Sequence, residues 1–459
     1  MSLSAPTVGR ADRHQAGKRL RGAWPREAHA ELDLPRGRDA LSILFAQDAS
    51  RIAGLVPERH RRMLESPFAF FRGAAAVMAA DLMPLQKPGL TVQASGDCHL
   101  MNFGAFVSPE AHILFDLNDF DETFAGVDFT VDVKRLAASI AVAAHDYGIG
   151  PKRAHAIVRR AVRAYREFIR DLARLSPLKI WHQRILLDEE LERIDDRRLR
   201  RVIRRGLIKA AAKIEADDEV PHLDLSGRLP RFQDRDGKIH HGDDETADLL
   251  AEAAAALGTY PQTLQPDRRQ LIERYSLVDT AIKVVGVGSV GTLCAIGLYT
   301  TADSDRLVLQ IKEAKPSVIA DLAEAPTAIE DDGRRVVEGQ RALQAASDVF
   351  LGWMPETASG RHFYVRQLKN QRLASLGDLI AEEIEDGAAL AAYAELCART
   401  LARAHARSGD PVAIGGYLGS GAAFDDAIAE FANAYVDVNR KDHAALAASV
   451  SGTGSGRQT

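Results

Sequence analysis

The stretch Thr91–Thr123, TVQASGDCHLMNFGAFVSPEAHILFDLNDFDET, decides how this chain is read. It opens with an apolar, β-branched approach and then turns polar at Asp97, His99 and Asn102. A second apolar run, His112 to Phe115, delivers Asp116, Asn118, Asp119, Asp121 and Glu122. The pattern predicts two short strands, each ending in a turn that carries carboxylates. Two such turns side by side bring oxygen ligands to a hard divalent cation, and Mg²⁺ held in this way usually accompanies phosphates. Polar turns in a hairpin account for the same residues, since turns favour Asp, Asn and Gly.

Around this stretch the chain has ordinary soluble composition. Its 459 residues are enough for a large core in two or three domains, with 46% hydrophobic and 27% charged residues. A net charge of −5 argues against a dedicated nucleic-acid binder. Cys98, Cys294 and Cys397 are isolated from one another and show neither a disulfide framework nor zinc spacing, which fits a reducing cytoplasm. The N-terminus lacks an apolar signal core, and no run approaches the ~18 apolar residues of a membrane span.

Residues 1–38 are polar, Arg-rich and aperiodic, and read as a disordered basic arm. Helical periodicity starts at Asp39 and strengthens after Pro67. A buried helix is expected from Val131 to Tyr147, ended by Gly148 and Gly150. Charged helices come next, and their basic run Arg197–Arg205 is flanked by acids, as on a solvated helix face. HHGDDE at 240–245 reads as a charged loop near the first boundary.

From Leu271 the composition turns β-branched, with strands expected at 277–285, 291–300, 306–313 and 362–368 and a helix at 334–347. Further helices are expected at 374–385, 389–407 and from Phe424, before a disordered tail at 448–459. The boundaries read as a helical lobe at 39–260, a β-rich nucleotide-binding lobe at 270–370, and a hinge with returning helices at 371–447.

Gly286-Val-Gly288-Ser289-Val-Gly291 is a GxGxxG, but the residues after it are strand-like rather than helical. The dinucleotide fingerprint needs a helix there. A strand–glycines–strand hairpin is instead the arrangement that covers ATP phosphates in kinases. The next strand carries Lys312, placed like the phosphate-pairing lysine, and Glu338 on the succeeding helix is placed to pair with it.

With these parts in place, SGDCHLMNFG resembles the HGDxHxxN catalytic loop of the aminoglycoside and choline kinase-like branch of the protein kinase-like superfamily. The resemblance implies Asp97 as catalytic aspartate and Asn102 as metal ligand. ILFDLNDFDET resembles the DFG segment, with Asp116 as first choice for the metal aspartate and Asp119 as second. VDVKRLAASI resembles the D-x-x-R-L helix, in which Asp132 braces the catalytic loop, while His99 is a supporting loop residue. Over about residues 66–440 the chain also resembles a bacterial family known as domain of unknown function 2252, through SPFAFFRGAAAVMAADL, GDCHLMNFGAF, FDLNDFDE, VVGVGSVGT and VVEGQRALQAASDVFLGW.

The kinase parts occur in rotated order, the glycine loop and lysine coming after the catalytic loop. FYVRQLKN resembles the strand and hinge, and AELCARTLARAHARSGD the helix that ordinarily leads into the catalytic loop. The expectation is an α+β, kinase-like two-lobed fold, circularly permuted, with a small antiparallel sheet lobe and a large helical lobe. Function is expected to be ATP- and Mg²⁺-dependent phosphoryl transfer to a small-molecule hydroxyl acceptor. Ser95 replaces the usual histidine and Asn118 the DFG glycine. These departures keep two alternatives open: a nucleotide-binding pseudokinase, and a metal-dependent phosphoesterase built on Asp97, His99, Asp116 and Asp119. The sequence names no acceptor and no oligomeric state.

Overall fold

Helix Thr130–Asp146 is buried from Thr130 to Ala144 on every side. Its alanines and branched apolar residues suit a core, and its buried Asp132 and Arg135 are satisfied there by hydrogen bonds to Ser95, Gly96 and Asp97. The computed structural model describes residues 8–454 except 86, 111, 194–196, 198–199, 202–203, 205–220, 236–238, 243–245, 284–289, 325–328, 355–358 and 369–386. The helix expected at 374–385 therefore lies outside the described residues. Around the central helix pack helices Pro151–Leu172, Ala388–Ser408 and Ala423–Gly454.

The fold is mixed α/β with small antiparallel sheets. Strands β1 (Thr91–Ala94) and β4 (Phe124–Asp128) pair, and β2 (Phe103–Val107) pairs with β3 (Ile113–Leu117). The loop after β1 and the loop after β3 thereby meet at one end of the helical region. Asn118 N–H donates to the Asn102 carbonyl (2.9 Å) and ties them together. Gly96, at φ +84°, sits where a Cβ would lie 2.2 Å from the Glu122 carbonyl oxygen, so glycine is needed for this approach.

Strands β5 (Leu223–Asp224) and β6 (Arg231–Phe232) form a minor pair. The largest sheet runs β11-β12-β10-β9-β8-β7, with β7 Ile239–His240, β8 Ser276–Lys283, β9 Cys294–Thr300, β10 Arg306–Ala314, β11 Gly352–Met354 and β12 His362–Gln367. Strand alternation sorts its side chains. Leu307, Leu309 and Ile311 of β10 enter an apolar cluster with Phe363 and Val365 of β12. Gln310 and Lys312 face the other way, opposite Arg366 and Tyr364. Helix Asp332–Leu343 fits between the sheet and the helical region, burying Val336, Val337 and Leu343 in the main core.

Two expectations for the ends are corrected. Residues 10–23 form a docked helix rather than a disordered arm. Arginines of this helix and of the short turn after it act as caps: Arg21 and Arg26 donate to the carbonyls of Gly416, Tyr417 and Leu418, the last turn of helix Pro411–Leu418, and Arg10 donates to those of Arg174 and Leu175. Helix ends leave such carbonyls without partners, and cations suit them. At the other end, helix Ala423–Gly454 continues into the expected tail. Among the described residues, no helix is long and apolar enough to cross a membrane.

Candidate active site

The two loops and one end of the large sheet's inner strands enclose a cleft of about 380 Å³. Asp97, His99 and Asn102 come from the first loop, Asp119, Asp121 and Glu122 from the second, and Glu313 and Lys315 from the end of β10 and just beyond. Gln47, Ser50, Arg51 and Arg72 close the cleft from the N-terminal helices.

The first loop is held from beneath. The buried Asp132 carboxylate accepts from the N–H groups of Ser95 (2.7 Å) and Gly96 (3.0 Å) and meets His405 Nε2 at 3.1 Å. Tyr165 contacts the other ring nitrogen of His405 at 2.8 Å. One turn further along the same helix, Arg135 donates twice to Asp97 Oδ1 (2.8 and 3.0 Å) and once to the Phe71 carbonyl. Among the described residues, Asp97 Oδ2 has only His99 Nε2 in range, at 3.7 Å. Burial pushes the Asp97 carboxyl up, with Arg135 opposing it. Burial, Arg72 and Arg135 hold His99 well below the ordinary histidine range, so its ring is neutral. His99 Nδ1 accepts from Met101 N–H and caps the short turn Leu100–Asn102. Asn102 Nδ2 donates to the Asp97 carbonyl (2.7 Å), which leaves its amide oxygen without a hydrogen bond among the described residues.

The acidic residues of the second loop separate into two environments. Asp116, the first choice for a metal ligand, does not reach the cleft. It is 1% exposed and paired with the fully buried Arg403, and it also accepts from the N–H groups of Ala345 (2.8 Å) and Leu117 (2.9 Å). Asp119 does line the cleft, and its only hydrogen bond among the described residues is a long one from Asp121 N–H (3.3 Å). Burial and the neighbouring Asp121 charge push its carboxyl up. Burial raises Asp121 as well, but Lys312 and Tyr364 outweigh it and bring that carboxyl to about 2. Both contacts are short: Lys312 Nζ lies 2.6 Å from Asp121 and the Tyr364 hydroxyl 2.5 Å. Glu122 accepts from Val318 N–H (2.7 Å), and burial lifts it to about 7.

Lys312 is therefore steadied by Asp121 and not by Glu338. Glu338 lies on the outer face of its helix, paired with Arg334 at 2.7 Å. The residue that this helix turns inward is Arg335, which donates to the carbonyls of Thr123, Asp121 and Lys315 and fixes the acidic loop against the sheet. Gly291, at φ +88°, packs against the stem of Arg51, and its carbonyl accepts from Ile52 N–H (2.8 Å). Gly286, Gly288 and Ser289 lie outside the described residues.

Sequence reasoning assigned no individual role to Arg135, Asp121 or Arg51. Arg135 had a signal in its spacing, since three residues from Asp132 puts both on one helix face. Asp121 had a weaker one, as a third acid in a turn already holding two. Arg51 sits in an unremarkable polar stretch.

Among the described residues, no three His, Cys, Asp or Glu side chains converge as a metal cage. Asn102 and Asp119 nevertheless offer uncommitted oxygens in one cleft, which suits Mg²⁺ because it binds through one or two carboxylates together with phosphates.

Over residues 51–449 the chain matches the family described as uncharacterized protein conserved in bacteria (DUF2252), and it belongs to that family. No curated protein and no solved structure matches it.

Proposed function

We propose that this bacterial family member is a Mg²⁺- and nucleotide-dependent phosphotransferase that acts on a small hydroxyl-bearing acceptor, on a circularly permuted kinase-like fold. The observation that carries this reading is the meeting of Asp97, Asn102 and Asp119 in one cleft, with the β10 lysine pairing to the same acidic loop from the sheet side. Lys312 comes from 191 residues beyond Asp121 in the chain, and phosphoryl transfer calls for such a set: a residue to orient the hydroxyl, metal ligands, and a lysine on the strand after a glycine hairpin.

Each residue then has a defined task. Arg135 fixes one oxygen of Asp97, and the free Oδ2 accepts the proton of the acceptor hydroxyl. Asn102 and Asp119 would hold the metal, which would supply positive charge to offset that of the phosphates. Lys312 works through Asp121, keeping it ionised and the loop in place, and is thus a positioning residue. Asp132, His405 and Tyr165 anchor the catalytic loop.

One observation favours a second reading, a nucleotide sensor without turnover. The double contact of Arg135 offsets part of the basicity that burial gives Asp97 and holds one of its oxygens in an ion pair. The phosphoesterase reading draws less support, because His99 is committed to capping a turn and two-metal hydrolysis needs a denser ligand set.

Thermal unfolding with ATP and Mg²⁺ together, and with each alone, tests the proposal. Joint stabilisation with ATP consumption is expected, and Asp97→Asn should keep the stabilisation while losing turnover. Stabilisation without consumption in the wild type selects the sensor. No response to nucleotide removes both readings.

A further inference from the structure

Arg51 lines the cleft from the N-terminal side with a side chain only 10% exposed. Among the described residues its guanidinium makes one hydrogen bond, from Nη1 to the Val290 carbonyl (2.6 Å). Nε is buried without a partner there. The nearest carboxylate, Asp48, is 4.0 Å from Nε, and its two oxygens are already taken by Arg59 and His60, each at 2.7 Å. A buried guanidinium with most of its donors unused is costly unless an anion completes it.

Two further features fit such a ligand. Lys315, in the same cleft, donates to the carbonyl and hydroxyl of Ser50 and has no carboxylate within ion-pair range among the described residues. Gly291 lets the Arg51 stem pass: a Cβ there would lie 2.9 Å from Arg51 Cβ, at a φ of +88° that side chains rarely adopt. The backbone at the end of the glycine hairpin is thus shaped around this arginine, which Ile52 N–H and Arg51 Nη1 pin to it.

We infer that Arg51 and Lys315 form an oxyanion subsite that takes a phosphate group entering the cleft beside Asp97. The planar fork of arginine matches two phosphate oxygens, and lysine adds a point charge. That the anion is a phosphate rests on the phosphotransferase reading; the need for an anion rests on Arg51 alone. The group is either the terminal phosphate of a nucleotide or a phosphate carried by the acceptor.

Calorimetric titration of the full chain with Mg·ATP, Mg·ADP and inorganic phosphate tests the subsite in wild type, Arg51→Gln, Arg51→Lys and Lys315→Gln. Arg51→Gln should weaken at least one phosphate-bearing probe by about tenfold or more, and Arg51→Lys should recover part of the loss. Loss for ATP but not ADP assigns the subsite to the terminal phosphate; loss for inorganic phosphate with ATP unchanged assigns it to the acceptor. Arg51-dependent phosphate binding by a protein that ignores both nucleotides keeps the subsite and removes the phosphotransferase reading. If Arg51→Gln does not fold, Arg51→Lys and Lys315→Gln must each weaken binding. Unchanged affinities in the folded variants, or no binding of any probe by the wild type, overturn the inference.

Discussion

Asp116 and Asp119 stand three residues apart in one acidic segment, and the fold gives them opposite tasks. Asp116 is the one acid of strand β3, sealed against Arg403 from helix Ala388–Ser408 and against two backbone N–H groups. Asp119 stands past the strand end, facing a cleft, with a like charge beside it and one long hydrogen bond. One acid closes the structure and the other is left open. Satisfied buried carboxylates hold folds together, whereas under-satisfied ones in clefts are candidates for function.

The same substitution should therefore act with opposite sign at the two positions. Asp119→Asn is expected to lower Mg²⁺-dependent phosphoryl transfer on the order of 10³-fold, about 4 kcal/mol of transition-state stabilisation. It should not destabilise the protein, because it relieves repulsion with Asp121. A steady-state assay beside a melting curve reads both. A variant that stays active would remove Asp119 from the site, and one that unfolds would make it structural; either dissolves the contrast.

Asp116→Asn breaks the comparison from the other side. Arg403 is fully buried and would lose its counter-charge, so a loss of about 3–5 kcal/mol in unfolding free energy is expected by chemical denaturation. Nucleotide affinity of the folded fraction should be unchanged. If Asp116→Asn instead abolished Mg²⁺ response in a stable protein, the metal ligand would be misassigned.

The contrast also marks where sequence reading reaches its limit. The two strand–turn units, the buried helix at 130–146 and the large sheet with Lys312 on its third long strand were legible, because apolar periodicity and turn residues encode them locally. The choice between Asp116 and Asp119 was not, since both come after the same apolar run and only the arrival of Arg403, from 287 residues downstream, decides which is sealed. The N-terminal helix was hidden for a similar reason. Its arginines look solvated in a linear reading, but their partners are carbonyl groups at distant helix ends. Tertiary partners of polar residues leave no periodic trace.

Glu122 probes the open side more gently. Burial raises its carboxyl from 4.5 to about 7, so the folded state holds a proton that the unfolded chain releases. An acid with a raised folded pKa favours folding below its unfolded value, and that contribution is lost as pH rises from about 4.5 through about 7. Glu122→Gln keeps an acceptor for Val318 N–H and cannot ionise. It should match the wild type near pH 4.5 and be more stable at pH 8 by about 1–3 kcal/mol, as read from denaturant midpoints across pH. Parallel curves for the two proteins would mean that Glu122 is already hydrated.

The smallest effect is expected at Glu338. A kinase-like lysine is ordinarily paired with a glutamate on the next helix, and loss of that partner impairs catalysis. Here the helix phase forbids it. Val336, Val337, Gln340 and Leu343 are buried, whereas Glu338, about 200° from Val336 around the helix, faces solvent beside Arg334. Asp121 already occupies Lys312 from the acidic loop, within the same unit that carries Asp119. Glu338→Ala should therefore leave melting temperature unmoved and turnover within about twofold, since exposed ion pairs contribute little. Asp121→Ala should lower both, because Lys312 would be left buried without a counter-charge and the loop without its anchor. A catalytic collapse in Glu338→Ala, with Asp121→Ala active, would restore the helix glutamate as the lysine's working partner. The Lys312–Asp121 pair would then belong to a resting arrangement that the active site leaves behind.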